Sequence, residues 1–244
     1  MPRLGLPWKE ITAEYSAGSS LSKLGKKYGV GKTTIHYHVN RLSGIKRWTP
    51  IRKIMRKDAF WLGVFLGLWA GDGTKNKDPN NYNYSVRFSF ALTDDRAISL
   101  LNRSSSVLFG VKPYVLTYRE NQLIYRLISK FVFNLLDENL VTVPPKTLNV
   151  SLPRSPSSYS RKFIRGFLTG LALSDGSFKS KRFCFSTIST RLAKQFAESL
   201  LLFGFASSVC LQKRKETNWH PIWRVYLSVA ETKKFRDFIF RSPF

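Results

Sequence analysis

An internal repeat constrains this sequence more than any other feature. Segment 62–74 reads Leu-Gly-Val-Phe-Leu-Gly-Leu-Trp-Ala-Gly-Asp-Gly-Thr, and segment 164–177 reads Ile-Arg-Gly-Phe-Leu-Thr-Gly-Leu-Ala-Leu-Ser-Asp-Gly-Ser. When the segments are superimposed, small residues and an Asp-Gly ending coincide at a constant separation of 103 residues. Such a repeat indicates two copies of one structural unit. The equivalent pairs are Gly63 with Gly166, Gly67 with Gly170, Gly71 with Ser174, Asp72 with Asp175 and Gly73 with Gly176.

The small residues of each copy recur at every fourth position, so on a helix they form one face that is nearly free of Cβ atoms. Such a face lets two helices approach closely. We therefore expect the two copies to pack on each other through Gly63, Gly67, Gly166 and Gly170. Each helix should end at its Asp-Gly pair, with Asp in the last turn and Gly stopping the helix.

Asp72 and Asp175 would then lie together at the ends of the paired helices. A carboxylate in a last turn opposes the helix dipole at a cost of roughly 0.3–1 kcal/mol. One such Asp-Gly pair is often an ordinary turn, but two at the ends of touching helices indicate a function. Neighbouring carboxylates repel unless cations lie between them, and ligation by oxygen alone suits Mg²⁺.

Segments 65–73 and 168–176 resemble the two dodecapeptide motifs of the single-chain LAGLIDADG homing endonucleases. The resemblance covers about residues 59–244. It implies an α+β fold with two pseudo-symmetric αββαββα halves, 59–140 and 161–244, joined through the motif helices. The two sheets would form a concave saddle for DNA, and the Pro/Ser-rich segment 141–160 would link the halves.

Charge points independently to a polyanionic partner. The 244 residues include 40 Lys and Arg against 15 Asp and Glu, a net charge of +25. A folded protein this basic most often binds nucleic acid, ahead of an anionic membrane, although a merely cationic soluble protein is the alternative. We find neither a signal peptide nor an apolar run long enough for a membrane span. The expected location is intracellular, in the cytoplasm or nucleoid of a prokaryote or in an organelle matrix.

Residues 1–45 are predicted to form a separate helical unit. Helices are expected at 7–15, 20–28 (with Ser20 as N-cap) and 33–42, and the unit resembles a helix-turn-helix of the resolvase type. The alternative is a helical hairpin that only packs on the main domain. The stretch 46–58 is a basic linker that would follow the phosphate backbone. Candidates for the DNA-facing side are Lys32, Thr33, Thr34, His36, Tyr37 and Arg41.

Alternation in 84–92 predicts a half-buried strand with small and basic residues on its open face. Equivalent hairpins are expected in both halves, including a strand at 178–181. An ordinary solvated sheet face is the alternative for any single residue. Cys184 and Cys210 are expected to be reduced residues of core or strands. The open-face candidates for DNA contact are Lys75, Ser85, Arg87, Ser89, Lys179, Arg182, Gln212, Arg214, Arg224 and Tyr226.

The resemblance further implies that Asp72 and Asp175, with the preceding Gly71 and Ser174, hold Mg²⁺ (or Mn²⁺ in its place) and that each half cuts one strand of duplex DNA. Lys146 fits the basic catalytic residue of the first half, although it could be one more basic linker residue. No matching lysine follows the second half, so the halves are expected to be unequal. Asp94 and Ser189 correspond to a polar position of the family.

Three functions remain open at this point. The first is a monomeric, intron-encoded homing endonuclease that needs no protein partner. The second is a non-cleaving DNA-binding regulator or an intron RNA maturase on the same scaffold. Such relatives usually lose a motif acid, so the presence of both Asp72 and Asp175 favours the nuclease. The third, a helix-turn-helix regulator with an unrelated ligand-sensing domain, would not explain the paired glycine stripes.

Overall fold

The computed structural model describes residues 5–17, 19–43, 58–78, 83–119, 121–178, 181–213 and 220–240. These residues form two compact units, one made of the described residues up to position 43 and the other of those from position 58 onward. No helix in these ranges is both long and apolar enough to cross a lipid bilayer.

The first unit contains three helices, α1 (Trp8–Ser16), α2 (Leu21–Lys27) and α3 (Lys32–Ser43). The predicted cap is confirmed, since the Ser20 hydroxyl accepts a hydrogen bond from the Lys23 backbone N–H at 3.2 Å. Gly29 turns the chain toward α3 with φ at +64°, a conformation that favours glycine. Ile11, Tyr15, Leu24, Ile35 and Val39 form the buried core of this unit.

The second unit has two halves with the same order of elements. The first half contains α4 (Ala59–Asp72), β1 (Gly73–Asp78), β2 (Asn83–Ala91), α5 (Asp95–Phe109), β3 (Tyr114–Arg119), β4 (Gln122–Ile128) and α6 (Lys130–Asn139). The second contains α8 (Arg161–Ser174), β5 (Gly176–Ser177), β6 (Cys184–Thr187), α9 (Thr190–Leu202), β7 (Ser207–Gln212), β8 (Ile222–Leu227) and α10 (Val229–Phe240).

Each half has one four-stranded antiparallel sheet. The strand orders are β1-β2-β4-β3 and β5-β6-β8-β7, so the two sheets have equivalent topologies. This confirms the predicted α+β fold with its αββαββα repeat. The strand predicted at 178–181 is wrong at both of its ends, because β5 ends at Ser177 and Lys181 has φ at +64°, outside the extended region; positions 179 and 180 lie outside the described residues.

Helices α4 and α8 form the main contact between the halves. A Cβ added to Gly63 would lie 2.1 Å from the Phe163 carbonyl oxygen, and one added to Gly166 would lie 2.0 Å from that of Phe60. Gly67 and Gly170 approach so closely that a Cβ on Gly170 would lie 2.8 Å from the Gly67 Cα. The helix backbones therefore meet directly, and α4 is apolar around most of its circumference because both halves cover it.

The segment between the halves is ordered and packs on α9. It contains α7 (Lys146–Asn149) and a 3₁₀ turn, Pro156–Ser158. The Gln195 side chain accepts from the Leu152 N–H at 2.8 Å and donates to the Leu152 carbonyl at 2.9 Å. Ser189 caps α9 and donates to the Val150 carbonyl at 2.8 Å. These buried hydrogen bonds fix the path by which the chain returns to α8.

Candidate active site and nucleic-acid interface

Asp72 and Asp175 lie at the adjoining ends of α4 and α8. Asp72 is the last residue of α4, whereas α8 ends at Ser174 and Asp175 follows it as the C-cap. The ends touch, since a Cβ added to Gly71 would lie 2.1 Å from Oγ of Ser174 and 3.1 Å from Oδ2 of Asp175. The close packing of the two helices therefore brings the two carboxylates together.

Gly73 ends α4 as predicted, and it also has a packing role that the sequence did not predict. It does not stop α4 in a left-handed conformation, because its φ and ψ are −90° and 151° and it begins β1. A Cβ at this position would lie 2.2 Å from Cδ1 of Trp69, so glycine is needed for the close approach of the indole. The indole N–H in turn donates to the Thr74 carbonyl at 3.2 Å. Asp72 is thus joined directly to the first strand of the sheet.

Lys146 reaches the end of α4 from α7. Its ammonium group donates to the carbonyls of Trp69 (2.8 Å), Gly71 (2.9 Å) and Gly73 (2.5 Å) and lies 4.7 Å from the centre of the Trp69 ring. Carbonyls at the C-terminal end of a helix carry partial negative charge and are good acceptors for such a cation. These three hydrogen bonds use all three N–H groups of the ammonium. Lys146 can therefore influence the neighbouring carboxylates through its positive charge and not through a direct hydrogen bond.

The three ionisable groups shift one another's pKa. Burial raises the pKa of Asp72 to about 7, and the charge of Asp175 adds to this shift. Burial also raises the pKa of Asp175 to about 6, although Lys146 opposes the shifts of both acids. Burial lowers the pKa of Lys146 to about 8, against the opposing effects of Asp175 and then Asp72. The charge of Lys146 thus affects the pKa of the acid from each half, while its hydrogen bonds are to the first half.

The chemistry of these residues fits a divalent cation. Two partly buried carboxylates that resist ionisation would both gain from a cation between them. Among the described residues no group of three or more His, Cys, Asp or Glu side chains is placed to hold a metal ion. Mg²⁺ commonly binds to one or two carboxylates and keeps water or substrate phosphates as its other ligands. The other two predicted ligands are Gly71 and Ser174. The Gly71 carbonyl accepts a hydrogen bond from Lys146, and the Ser174 hydroxyl donates one to the Gly170 carbonyl at 3.0 Å.

The pKa shifts predict how the metal-free protein responds to pH. The folded-state pKa values of Asp72 and Asp175 exceed the ordinary value of 3.8, so the folded state binds more protons than the unfolded state between about pH 4 and 7. Their contribution to stability must therefore fall as pH rises through this range. With a chelator present, we expect the melting temperature of Asp72→Asn to fall less than that of the wild type as pH rises through this range. In the wild type, Mg²⁺ should likewise reduce the fall of the melting temperature.

Asp237, an exposed residue of α10, provides the matched control for this experiment. Asp237→Asn removes one negative charge, as Asp72→Asn does, but away from the adjoining ends of α4 and α8. It should leave the pH dependence of the melting temperature close to that of the wild type. If Asp72→Asn melts with the wild-type pH dependence, the Asp72 carboxylate does not titrate as described.

The open face of the first sheet carries three of the predicted DNA contacts. Ser85, Arg87 and Ser89 alternate along β2 with the core residues Val86 and Phe88. Ser85 is only 1% exposed because two arginines cover it: its hydroxyl accepts from Nε of Arg87 at 3.4 Å and from Nε of Arg126 at 2.8 Å. Ser85 therefore holds arginines in place and is not itself an accessible contact.

Lys75 does not belong to this face, which corrects the prediction. It is paired in register with the core residue Val86 and so points toward the helices. There it forms an ion pair with Asp137 and donates to the Thr142 hydroxyl at 2.9 Å. Its ammonium group also lies 4.6 Å from the Phe133 ring. Lys75 therefore anchors β1 to α6 and to the chain that follows it.

The open face of the second sheet carries Gln212, Arg224 and Tyr226. The Arg224 guanidinium donates to the Tyr226 hydroxyl at 3.2 Å. The two cysteines share this face, with Cys184 opposite Tyr226 and Cys210 opposite Arg224. Both are free thiols, and Cys210 is exposed. Arg182 is exposed just before β6, whereas Lys179 and Arg214 lie outside the described residues.

Sequence reasoning missed Arg126, which lies directly opposite Arg87 on the open face. Strand β4 reads Gln-Leu-Ile-Tyr-Arg-Leu-Ile, with apolar residues at both alternating sets of positions. Alternation alone therefore could not decide which side chains face the core. Two further polar residues were singled out in the sequence. Asp94 accepts from the Ala91 N–H at 2.8 Å and helps to raise the pKa of Asp72, whereas Ser189 is a fully buried helix cap.

The candidate residues of α3 lie on one surface of the first unit. The exposed residues are Lys32, Thr33, Thr34, His36 and Tyr37. The apolar residues of the same helix, Ile35 and Val39, are buried. The side chain of Arg41 lies outside what the structure describes. His38 stacks on Trp8 with ring centres 4.0 Å apart, which ties α3 to α1.

Comparison with known proteins agrees with this architecture. Residues 162–239 match the family described as LAGLIDADG-like domain. No curated protein matches the chain. The fold is similar to that of I-DmoI in complex with DNA and Mn (TM-score 0.57, 16% identity, 77% of this chain and 100% of that one). It is also similar to I-DmoI in complex with DNA and Ca (TM-score 0.56, 17% identity, 77% and 93%) and to mesophilic variants of the homing endonuclease I-DmoI (TM-score 0.56, 16% identity, 75% and 97%).

Proposed function

We propose that this protein is a site-specific DNA endonuclease of the homing type, which uses a divalent metal to cut both strands of a long, asymmetric duplex site. The observation that carries the proposal is the meeting of Asp72 and Asp175 at the ends of α4 and α8, with Lys146 beside them. The structures of I-DmoI with DNA and Mn or Ca support a DNA partner and divalent metal for this fold.

The protein's own groups can perform distinct parts of such a reaction. Asp72 and Asp175 would hold the divalent cation or cations. When bound, the cations would supply an activated water and stabilise the charge on the leaving oxygen. Lys146 holds the end of α4 in place, and its charge favours the ionised form of both acids at neutral pH. Lys and Arg side chains would bind the phosphates of the duplex, and polar and basic side chains on the open sheet faces would contact base edges.

Retention of both acids separates this proposal from a non-cleaving regulator or an RNA maturase on the same scaffold. Binding alone requires no pair of carboxylates, and in a protein of net charge +25 they would weaken contact with a polyanion. Their partial burial also opposes ionisation, so their presence costs stability unless a cation is bound.

Cleavage of a plasmid library that carries randomised inserts tests the function directly. We expect linear product from a small subset of plasmids in Mg²⁺ or Mn²⁺, and none when a chelator removes the metal. Sequencing across the cut ends would give the target. Specific binding without cutting in any divalent ion would instead identify a non-cleaving DNA-binding protein.

We further propose that the first unit extends the DNA contact without joining the chemistry. Its exposed α3 residues include Lys32, Thr33 and Thr34, and it forms a compact unit with a core of its own. A chain that begins at Lys57 keeps both motif helices and all sheet strands. It should still cut, but it should bind more weakly and with a shorter footprint at one end only.

The salt dependence of binding provides the quantitative measurement for this truncation. Each lost phosphate contact should reduce the slope of log K against log[salt] by about 0.9. If affinity, slope and footprint all remain those of the full chain, the first unit does not bind DNA and the helix-turn-helix interpretation is wrong.

A further inference from the structure

The two sheets can be compared position by position, because Gly73 pairs with Phe88 in the first sheet as Gly176 pairs with Phe185 in the second. One residue further along from each of these pairs, a row of open-face residues crosses all four strands of the sheet. In the first sheet it consists of Thr74, Arg87, Arg126 and Tyr114. The equivalent row of the second sheet consists of Ser177, Cys184, Tyr226 and Ser208.

The first row places two arginines directly opposite each other. Like charges in this arrangement repel, and among the described residues no carboxylate forms an ion pair with either Arg87 or Arg126. The buried hydroxyl of Ser85 instead accepts from Nε of both side chains. No acid in the described part of the chain offsets this repulsion, so the pair is suited to an electron-rich partner.

The Ser85 contacts also determine which donors remain available. Each Nε is directed at Ser85, and among the described residues no hydrogen bond is present from the terminal Nη groups of Arg87 or Arg126, so these groups are available to a ligand. Two parallel N–H donors match the O6 and N7 acceptors of guanine in the major groove. Opposite residues on neighbouring strands have Cβ atoms about 5 Å apart, a spacing that allows the two arginines to reach neighbouring base pairs.

The equivalent row of the second sheet has no such pair. Cys184 and Tyr226 occupy the positions of Arg87 and Arg126, and a thiol and a phenol cannot make the bidentate contact of a guanidinium. Arg224 is displaced to the next open-face row, where its opposite neighbours are Ser186 and Cys210. The two halves therefore present different donors at the same level of the fold.

We propose that Arg87 and Arg126, held by the buried hydroxyl of Ser85, read two neighbouring guanines in the half-site under the first sheet. The second half-site has no such requirement at the equivalent position. This inference rests on the proposed function, since it assumes that the sheets face DNA, and it adds the base preference that would orient the protein on an asymmetric target.

Selection from a randomised duplex library tests the inference with the full-length protein in the presence of a chelator, so that no cutting occurs. We expect the wild type to enrich one site with two neighbouring guanines in one half only. Arg126→Lys keeps the charge but loses the bidentate geometry, so it should reduce discrimination at one guanine by roughly 5- to 150-fold. Ser85→Ala should reduce discrimination at both.

Lys194→Gln provides a control, because this exposed lysine of α9 carries a charge away from the strands. It should leave the base preference unchanged. The inference would be overturned if the enriched site lacked the guanine pair, or if Arg126→Lys kept the base preference of the wild type. Either result would leave the proposed function intact. Failure of the wild type to enrich any sequence would instead count against the proposed function itself.

Discussion

Replacement of Asp72 or Asp175 by Asn is expected to slow double-strand cleavage by at least about 1,000-fold, with duplex binding retained. A bound metal ion contributes several kcal/mol to stabilisation of the transition state, and about 4 kcal/mol corresponds to this factor. Asn preserves the shape of the side chain but removes the negative charge. Cleavage kinetics on a plasmid with the selected site, alongside binding measurements, would check both parts of the expectation.

The same substitutions should stabilise the metal-free protein at neutral pH. A raised folded-state pKa means that the ionised carboxylate is disfavoured in the fold, so its replacement by a neutral amide removes that cost. An inactive variant that is more stable than the wild type could not owe its inactivity to unfolding. Wild-type cleavage of both strands by either variant would exclude that carboxylate from the chemistry.

Gly63→Ala should destabilise the second unit by about 3 kcal/mol or more, since overpacking of a tight interface commonly costs 1–3 kcal/mol and here the new atom meets backbone. The added Cβ would lie 2.1 Å from the Phe163 carbonyl oxygen and 2.7 Å from the Phe167 nitrogen. For a unit of this size the melting temperature should fall by about 6–12 °C. Thermal denaturation followed by circular dichroism would measure the change.

Gly110→Ala provides the control in the same unit. Gly110 has φ at +69° with nothing within 4 Å of an added Cβ, so only backbone strain of roughly 1–2 kcal/mol applies. The Gly63 variant should therefore melt at a clearly lower temperature. Equal losses for the two variants would show that the contact between α4 and α8 is looser than the structure indicates.

The features that could be predicted from sequence were those with a repeated local pattern. The glycine stripes of Gly63, Gly67, Gly166 and Gly170 predicted a close pairing of helices, because no side chain stands between backbones at those positions. The repeat also predicted that the two halves share one order of elements, whereas the α+β fold class was implied by the resemblance of the two motifs. The adjoining positions of Asp72 and Asp175 are a consequence of that pairing.

The features that could not be predicted depend on long-range register or on hydrogen bonds to backbone. Strand β1 reads Gly-Thr-Lys-Asn-Lys-Asp, which has no apolar residue to mark its buried side, so only its pairing with β2 shows that Lys75 faces the helices. Lys146 is separated by more than 70 residues from the carbonyls that it contacts. The Pro/Ser-rich composition of 141–160 concealed an ordered segment because its partner, Gln195, lies on a later helix.

Under the proposed function, the direct continuation of α4 into β1 would couple recognition of the duplex to its cutting over a very short distance. Asp72 and Thr74, the first residue of the open-face row, are separated only by Gly73, and Trp69 fixes this junction through its contact with the Thr74 carbonyl. No loop separates the two residues that could absorb a displacement. A duplex that seats poorly on the sheet would therefore misplace the carboxylate as well, so sequence errors in the target would reduce the rate of cutting more than they reduce the occupancy of the site.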